Sequence, residues 1–104
     1  MSRELIFLPE ISRDFIEGFQ YYEAFSPGRG GERFEADFKG ALQQIQAGLI
    51  THFQPFEHFH RVCLPDYPYH LYYRLVGDQA VIAALLYARF NPRKIQETLK
   101  NRSQ

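Results

Sequence analysis

Tryptophan is absent from this chain of 104 residues, and cysteine is nearly so. A lone Cys63 cannot close an internal disulfide, so the fold must rest on its core; a reducing, cytoplasmic setting is expected. No stretch approaches the ~20 consecutive apolar residues of a membrane span, which argues for a soluble protein with no membrane partner. The apolar run Leu5–Leu8 is too short for a signal peptide. Net charge is zero, so the total gives no support for strong non-specific binding to nucleic acid. Lysine is missing from residues 40–93 altogether.

The charge that is present is unevenly placed. Residues 1–57 hold five Lys/Arg against nine Asp/Glu, a balance of −4. Residues 58–104 hold seven against three, a balance of +4. Such a chain can offer one basic face to an acidic partner and stay soluble overall. Aromatics are abundant at 16%, with ten Phe and seven Tyr, and in a chain of this length most of them are expected in one core. The length allows a single domain, residues 1–104.

Residues 4–8 read as a short strand, and Pro9 opens a helix, where its fixed φ and missing N–H do no harm. Ile11, Phe15, Phe19, Tyr22 and Phe25 recur at helical spacing, with Arg13, Asp14, Glu17 and Glu23 largely off the stripe. Gly18 inside this helix points to a close packing contact. Ser26 to Gly31 is rich in glycine, but no strand precedes it and no Lys-Ser/Thr follows, so it reads as a link between antiparallel helices rather than a phosphate cradle. A second stripe runs through Phe34, Phe38, Leu42 and Ile45 to Gly48.

Beyond residue 57 the period changes. His58–Leu64, Tyr69–Val76 and Gln79–Tyr87 read as strands, with Gly77-Asp78 as a tight turn. The last run is apolar on both sides, which suits a central strand covered on both faces. Asn91-Pro92 ends it, and Arg93–Arg102 reads as a short basic helix or a tail. The expected class is α+β, in the order β-α-α-β-β-β: an antiparallel sheet packed by an N-terminal helical hairpin, with a short C-terminal helix.

Three segments carry a family resemblance. Phe7–Phe25 resembles the opening strand and helix of the RelE/ParE superfamily of type II toxin–antitoxin systems, with Tyr21-Tyr22 as the tyrosine pair that closes the helix. Arg61–Arg74 (RVCLPDYPYHLYYR) is similar to the sheet signature: an Arg, then Tyr-Pro-Tyr, a Leu, an aromatic pair and a closing Arg. Val81–Pro92 looks like the last strand, except that Tyr87 stands where a His is frequent and Phe90 where a second Arg is. The likeness is nearest to the ParE-like, plasmid stabilisation branch.

This resemblance implies a bacterial toxin neutralised by a cognate antitoxin, assembled as a homodimer or a toxin–antitoxin hetero-oligomer, with DNA gyrase or the ribosome as target and with no cofactor. Tyr69, Tyr72, Arg93 and Lys94 are the expected binding residues. For a RelE-like mRNA endoribonuclease, Arg61, Arg74 and Arg89 would clamp phosphate and Tyr87 would donate a proton or stack on a base. The missing lysines and the long hairpin rank protein-directed inhibition ahead of RNA cleavage, with a degenerate, non-toxic member as a third outcome. The bland alternatives stay open: Arg61 and Arg74 as partners of helix carboxylates, and at least one of Tyr72 and Tyr73 as core. His52, His58, His60 and His70 with Cys63 raise a metal site, but no Cys-x-x-Cys or His-Glu-x-x-His spacing accompanies them, so none is expected.

Overall fold

A computed structural model of the chain describes residues 2–48, 53–56 and 58–102. The elements run β1 (Glu4–Phe7), α1 (Glu10–Phe25), α2 (Gly30–Ala47), β2 (Phe53–Phe56), β3 (Phe59–Cys63), β4 (Tyr69–Val76), β5 (Gln79–Tyr87) and α3 (Pro92–Arg102). The five strands form one sheet in the order β1-β5-β4-β3-β2. β2 to β5 pair antiparallel, and β1 adds itself parallel to β5, so the sheet is mixed at one edge. This is the expected α+β arrangement with one strand more. β2 contains Pro55, which lacks a ladder donor and is tolerated at the sheet's outer edge. β3 begins at Phe59; His58 lies in the turn before it, with a left-handed φ of 72°.

The two faces of the sheet are covered by different elements. Ile11, Phe34, Ala41 and Ile45 of the hairpin pack on one face, against residues that include Leu71, Tyr73, Ile82 and Leu85. Ile95 and Leu99 of α3 pack on the other, against Phe59, Tyr72, Ala83, Ala84 and Leu86. Adjacent strand residues point to opposite faces, so Tyr72 and Tyr73 enter different cores, and each is 1% exposed. β5 is buried from Ala80 through Leu86, as its two-sided apolar run anticipates.

Within the hairpin, a Cβ on Gly18 would lie 2.4 Å from the Phe34 ring, so only glycine lets α1 sit that close to α2. The glycine-rich link is closed by the chain itself. Glu23 accepts hydrogen bonds from the backbone N–H groups of Gly28 (2.6 Å) and Gly31 (3.0 Å). A carboxylate thus already sits at the start of α2, where an anion is favoured, and the segment serves as a helix connection. Phe25, the last member of the α1 stripe, overruns the core and is 74% exposed.

A bulge shapes β5. Tyr72 lies opposite Ala84 and Tyr73 opposite Ile82, so Ala83 is the extra residue and both alanines turn toward α3. On its other side β5 is paired by β1 only as far as Ile82, which also accepts from the Leu8 N–H at 3.0 Å. Past that point side chains complete the ladder. Asp14 accepts the Leu85 N–H at 3.0 Å, and Arg102 donates to the Ala83 carbonyl at 3.2 Å. Asp14 and Arg102 meet in a two-pronged pair at 2.5 and 3.0 Å, their side chains only 6% and 10% exposed. α1 and α3, on opposite faces, are thereby tied around one strand edge.

Candidate functional site

One end of the molecule gathers tyrosines from three elements. Tyr69 opens β4 and Tyr87 closes β5; the two are register partners with ring centroids 5.8 Å apart. Tyr22, near the end of α1, lies 5.9 Å from Tyr69 and 4.3 Å from Tyr67. The Tyr67 hydroxyl donates to the Gly30 carbonyl at 3.3 Å, fastening the β3–β4 loop to the start of α2. Tyr21 stands edge-on to Tyr22 at 5.1 Å and contacts Phe25 at 5.2 Å. After β5 the chain turns through Ala88, whose N–H donates to the Pro68 carbonyl at 2.7 Å, and brings Phe90 within 5.6 Å of Tyr87. Tyr21, Tyr22, Tyr69, Tyr87 and Phe90 line an open pocket of ≈ 290 Å³.

Burial and neighbouring phenols keep the Tyr22 and Tyr69 hydroxyls protonated. Burial, reinforced by Tyr69, Tyr21, Tyr87 and Tyr67, pushes Tyr22 up to about 12. Burial, then Tyr21, Glu17 and Tyr87, raises Tyr69 as well. As neutral groups they bind through ring faces and hydroxyl hydrogen bonds.

The basic residues beside this end come from the turn and α3. Arg89, Arg93 and Lys94 are exposed, and the Lys94 ammonium lies 4.9 Å from the centroid of the Phe90 ring. Asn91 sets up the helix that carries two of them: its side-chain oxygen accepts the Arg93 N–H at 2.8 Å, with Pro92 in the first helical position. Tyr69, Tyr87, Arg89, Arg93 and Lys94 thus lie in one region. Tyr72 does not join them, since it is sealed in the core beneath α3.

Arg61 and Arg74 lie elsewhere. Arg61 is the register partner of Tyr72, and Arg74 is two residues further along the same strand, so both side chains are on the α3 face. Tyr87, stacked edge-on to Tyr69 above the hairpin core, is on the opposite face. The four residues considered for RNA cleavage are therefore split by the sheet. Arg61 hydrogen-bonds Tyr72, an arrangement that partly offsets the upward push of burial on that phenol. Burial, then the Arg61 charge, holds His70 below the usual imidazole range. The Nδ1 of His70 and the Nε of Arg74 are buried without a hydrogen bond among the described residues.

Among the described residues no three His, Cys, Asp or Glu side chains are grouped as metal ligands. The displacement of His58 into a turn removes the same-face pairing with His60 that a regular strand would give. His52 lies outside the described residues. The Asp14–Arg102 tie has no counterpart in the sequence reading: Asp14 sits off the apolar stripe, and its partner is 88 residues away.

The fold, a five-stranded sheet with the hairpin on one face and α3 on the other, is similar to that of a solved chain from a toxin–antitoxin system. One solved structure that shares it is a chain of the chromosomal ParDE TA system from P. aeruginosa, with a TM-score of 0.66 and 13% identity over 85% of this chain and 98% of that one. No protein-family model and no curated protein matches the sequence. No helix among the described residues is long and apolar enough to cross a membrane.

Proposed function

We propose that this chain is the toxin of a type II toxin–antitoxin (plasmid stabilisation) module. It acts in the ParE-like manner, binding a protein target such as DNA gyrase in the cytoplasm, and a cognate antitoxin neutralises it. The observation that carries this reading is the fold shared with the ParDE chain across nearly the whole of that chain. The tyrosine-rich end, flanked by Arg89, Arg93 and Lys94, supplies the contact surface: rigid rings lose little entropy on binding, and exposed cations steer an acidic partner. The separation of Arg61 and Arg74 from Tyr87 by the sheet weighs against RNA cleavage, which needs base, acid and phosphate clamps around one phosphodiester.

Induced expression in bacteria is the test. Growth arrest is expected, with intact messenger RNA, trapped gyrase–DNA complexes and rescue by the product of the adjacent gene. Transcripts cut within translated codons would instead assign a ribosome-dependent endoribonuclease, and undisturbed growth a degenerate, non-toxic member.

A further inference from the structure

The rings around the tyrosine pocket form a cup and not a slot. Tyr21 meets Tyr22 at 90°, Tyr22 meets Tyr69 at 70°, Tyr69 meets Tyr87 at 66° and Tyr87 meets Phe90 at 72°. Ring faces thus alternate with ring edges, and none of these pairs lies parallel to admit a flat ring or base between them. A rounded aliphatic side chain suits such a cup, because its CH groups can meet rings from several directions at once. The volume, ≈ 290 Å³, is at the lower limit for a small-molecule site and fits one side chain. With Tyr22 pushed up to about 12 and Tyr69 raised as well, these phenols add no negative charge at neutral pH.

The rim of the cup is cationic on the α3 side. Arg89 is exposed in the turn after β5, and the Lys94 ammonium lies 4.9 Å from the centroid of the Phe90 ring, which lines the pocket. Arg93 and Lys94 both stand in the first turn of α3, which holds no acidic residue. A helix start is itself electropositive, so cations there are locally disfavoured, and an anion docked beside them relieves helix and side chains together. We propose that the pocket takes one leucine-sized aliphatic side chain from an acidic segment of a partner protein, with the carboxylates next to that residue seated on Arg93 and Lys94. Glu17, on the α1 side, repels a carboxylate there and so sets the direction of the segment. The inference rests on the reading of this end as a protein contact surface, and it names the chemistry that surface selects.

The experiment titrates the full-length protein, with ring-labelled tyrosine, against the acetylated, amidated tripeptides Leu-Glu-Glu, Ala-Glu-Glu and Leu-Lys-Lys and against an RNA trinucleotide. Saturable shifts of the Tyr22, Tyr69 and Tyr87 ring signals are expected with Leu-Glu-Glu at roughly millimolar concentration. Ala-Glu-Glu, which lacks the anchor, and Leu-Lys-Lys, which reverses the charge, should each bind about tenfold more weakly. Arg93→Glu combined with Lys94→Glu should weaken Leu-Glu-Glu about tenfold without lowering the melting temperature, since an acidic first turn suits a helix start. Equal affinity for Leu-Glu-Glu and either of the other tripeptides, or no saturable shift in the folded protein, overturns the proposal. RNA binding as tightly as Leu-Glu-Glu overturns its assignment to a peptide. Binding is read in the purified protein, so the two readings fail separately. A chain that takes the peptide without arresting growth overturns the toxin reading alone, and one that arrests growth while ignoring the peptide overturns this inference alone.

Discussion

Asp14 accepts hydrogen bonds from a helix and from a strand at once, so its loss leaves the Arg102 guanidinium and the Leu85 N–H buried without their acceptor. Breaking one side of such a pair costs more than the intact pair contributes, because the remaining charge is stranded. Asp14→Ala should destabilise by roughly 3 kcal/mol, and urea unfolding will read this as a lower midpoint. Arg102→Ala should cost a comparable amount, since it leaves the buried Asp14 carboxylate with only the Leu85 N–H, and the double variant should fall well short of the sum. Nothing in the residue order announces this tie. Helical spacing placed Asp14 off the apolar stripe correctly, yet that side of α1 faces the strand edge and α3, not solvent. Tyr72 was equally deceptive, because its burial depends on α3 reaching back over the sheet.

Among the elements, α3 depends most on local chemistry. Its apolar contribution is two residues, Ile95 and Leu99, and its first turn relies on the Asn91 cap. Asn91→Ala should cost about 1 kcal/mol. Amide exchange should quicken in α3 and leave the hairpin unaffected. The hairpin, β3, β4, β5 and α3 were legible because periodicity, breakers and caps act over a few residues. β2 was not, because Pro55 argues against a strand anywhere except a sheet edge, and edge position belongs to topology. The parallel pairing of β1 escaped for the same reason. The tyrosine pocket was legible only in pieces: Tyr69 and Tyr87 stood out singly, but their meeting with Tyr22 needs the register of β4 with β5 and the docking of α1.

For the whole molecule, stability should form a plateau bounded by groups that fold into unfavourable protonation environments. His70 titrates lower when folded than its ordinary 6.5. The unfolded chain therefore takes up the proton first, and stability that is complete above 6.5 is lost as pH falls below 6.5 toward and through the lower folded value. Tyr22 is raised from 10.0 to about 12, and Tyr69 and Tyr72 are raised as well. Here the unfolded chain releases its protons first, so stability is complete below 10 and declines between 10 and about 12. Thermal melts across this range should show both limbs. Tyr22→Phe should flatten the alkaline one, and His70→Gln the acid one.

The tie around the β5 edge also sets an order of events. Asp14 is separated in sequence by 71 residues from Leu85 and by 88 from Arg102, so all three segments must already be in place before the carboxylate can be shared. Such a late-closing contact belongs to the descent from the barrier and not to the ascent. In stopped-flow measurements the Asp14→Ala variant should refold at close to the parent rate and unfold many times faster. The lifetime of the folded protein, and with it resistance to proteolysis, is then governed by a latch of two side chains.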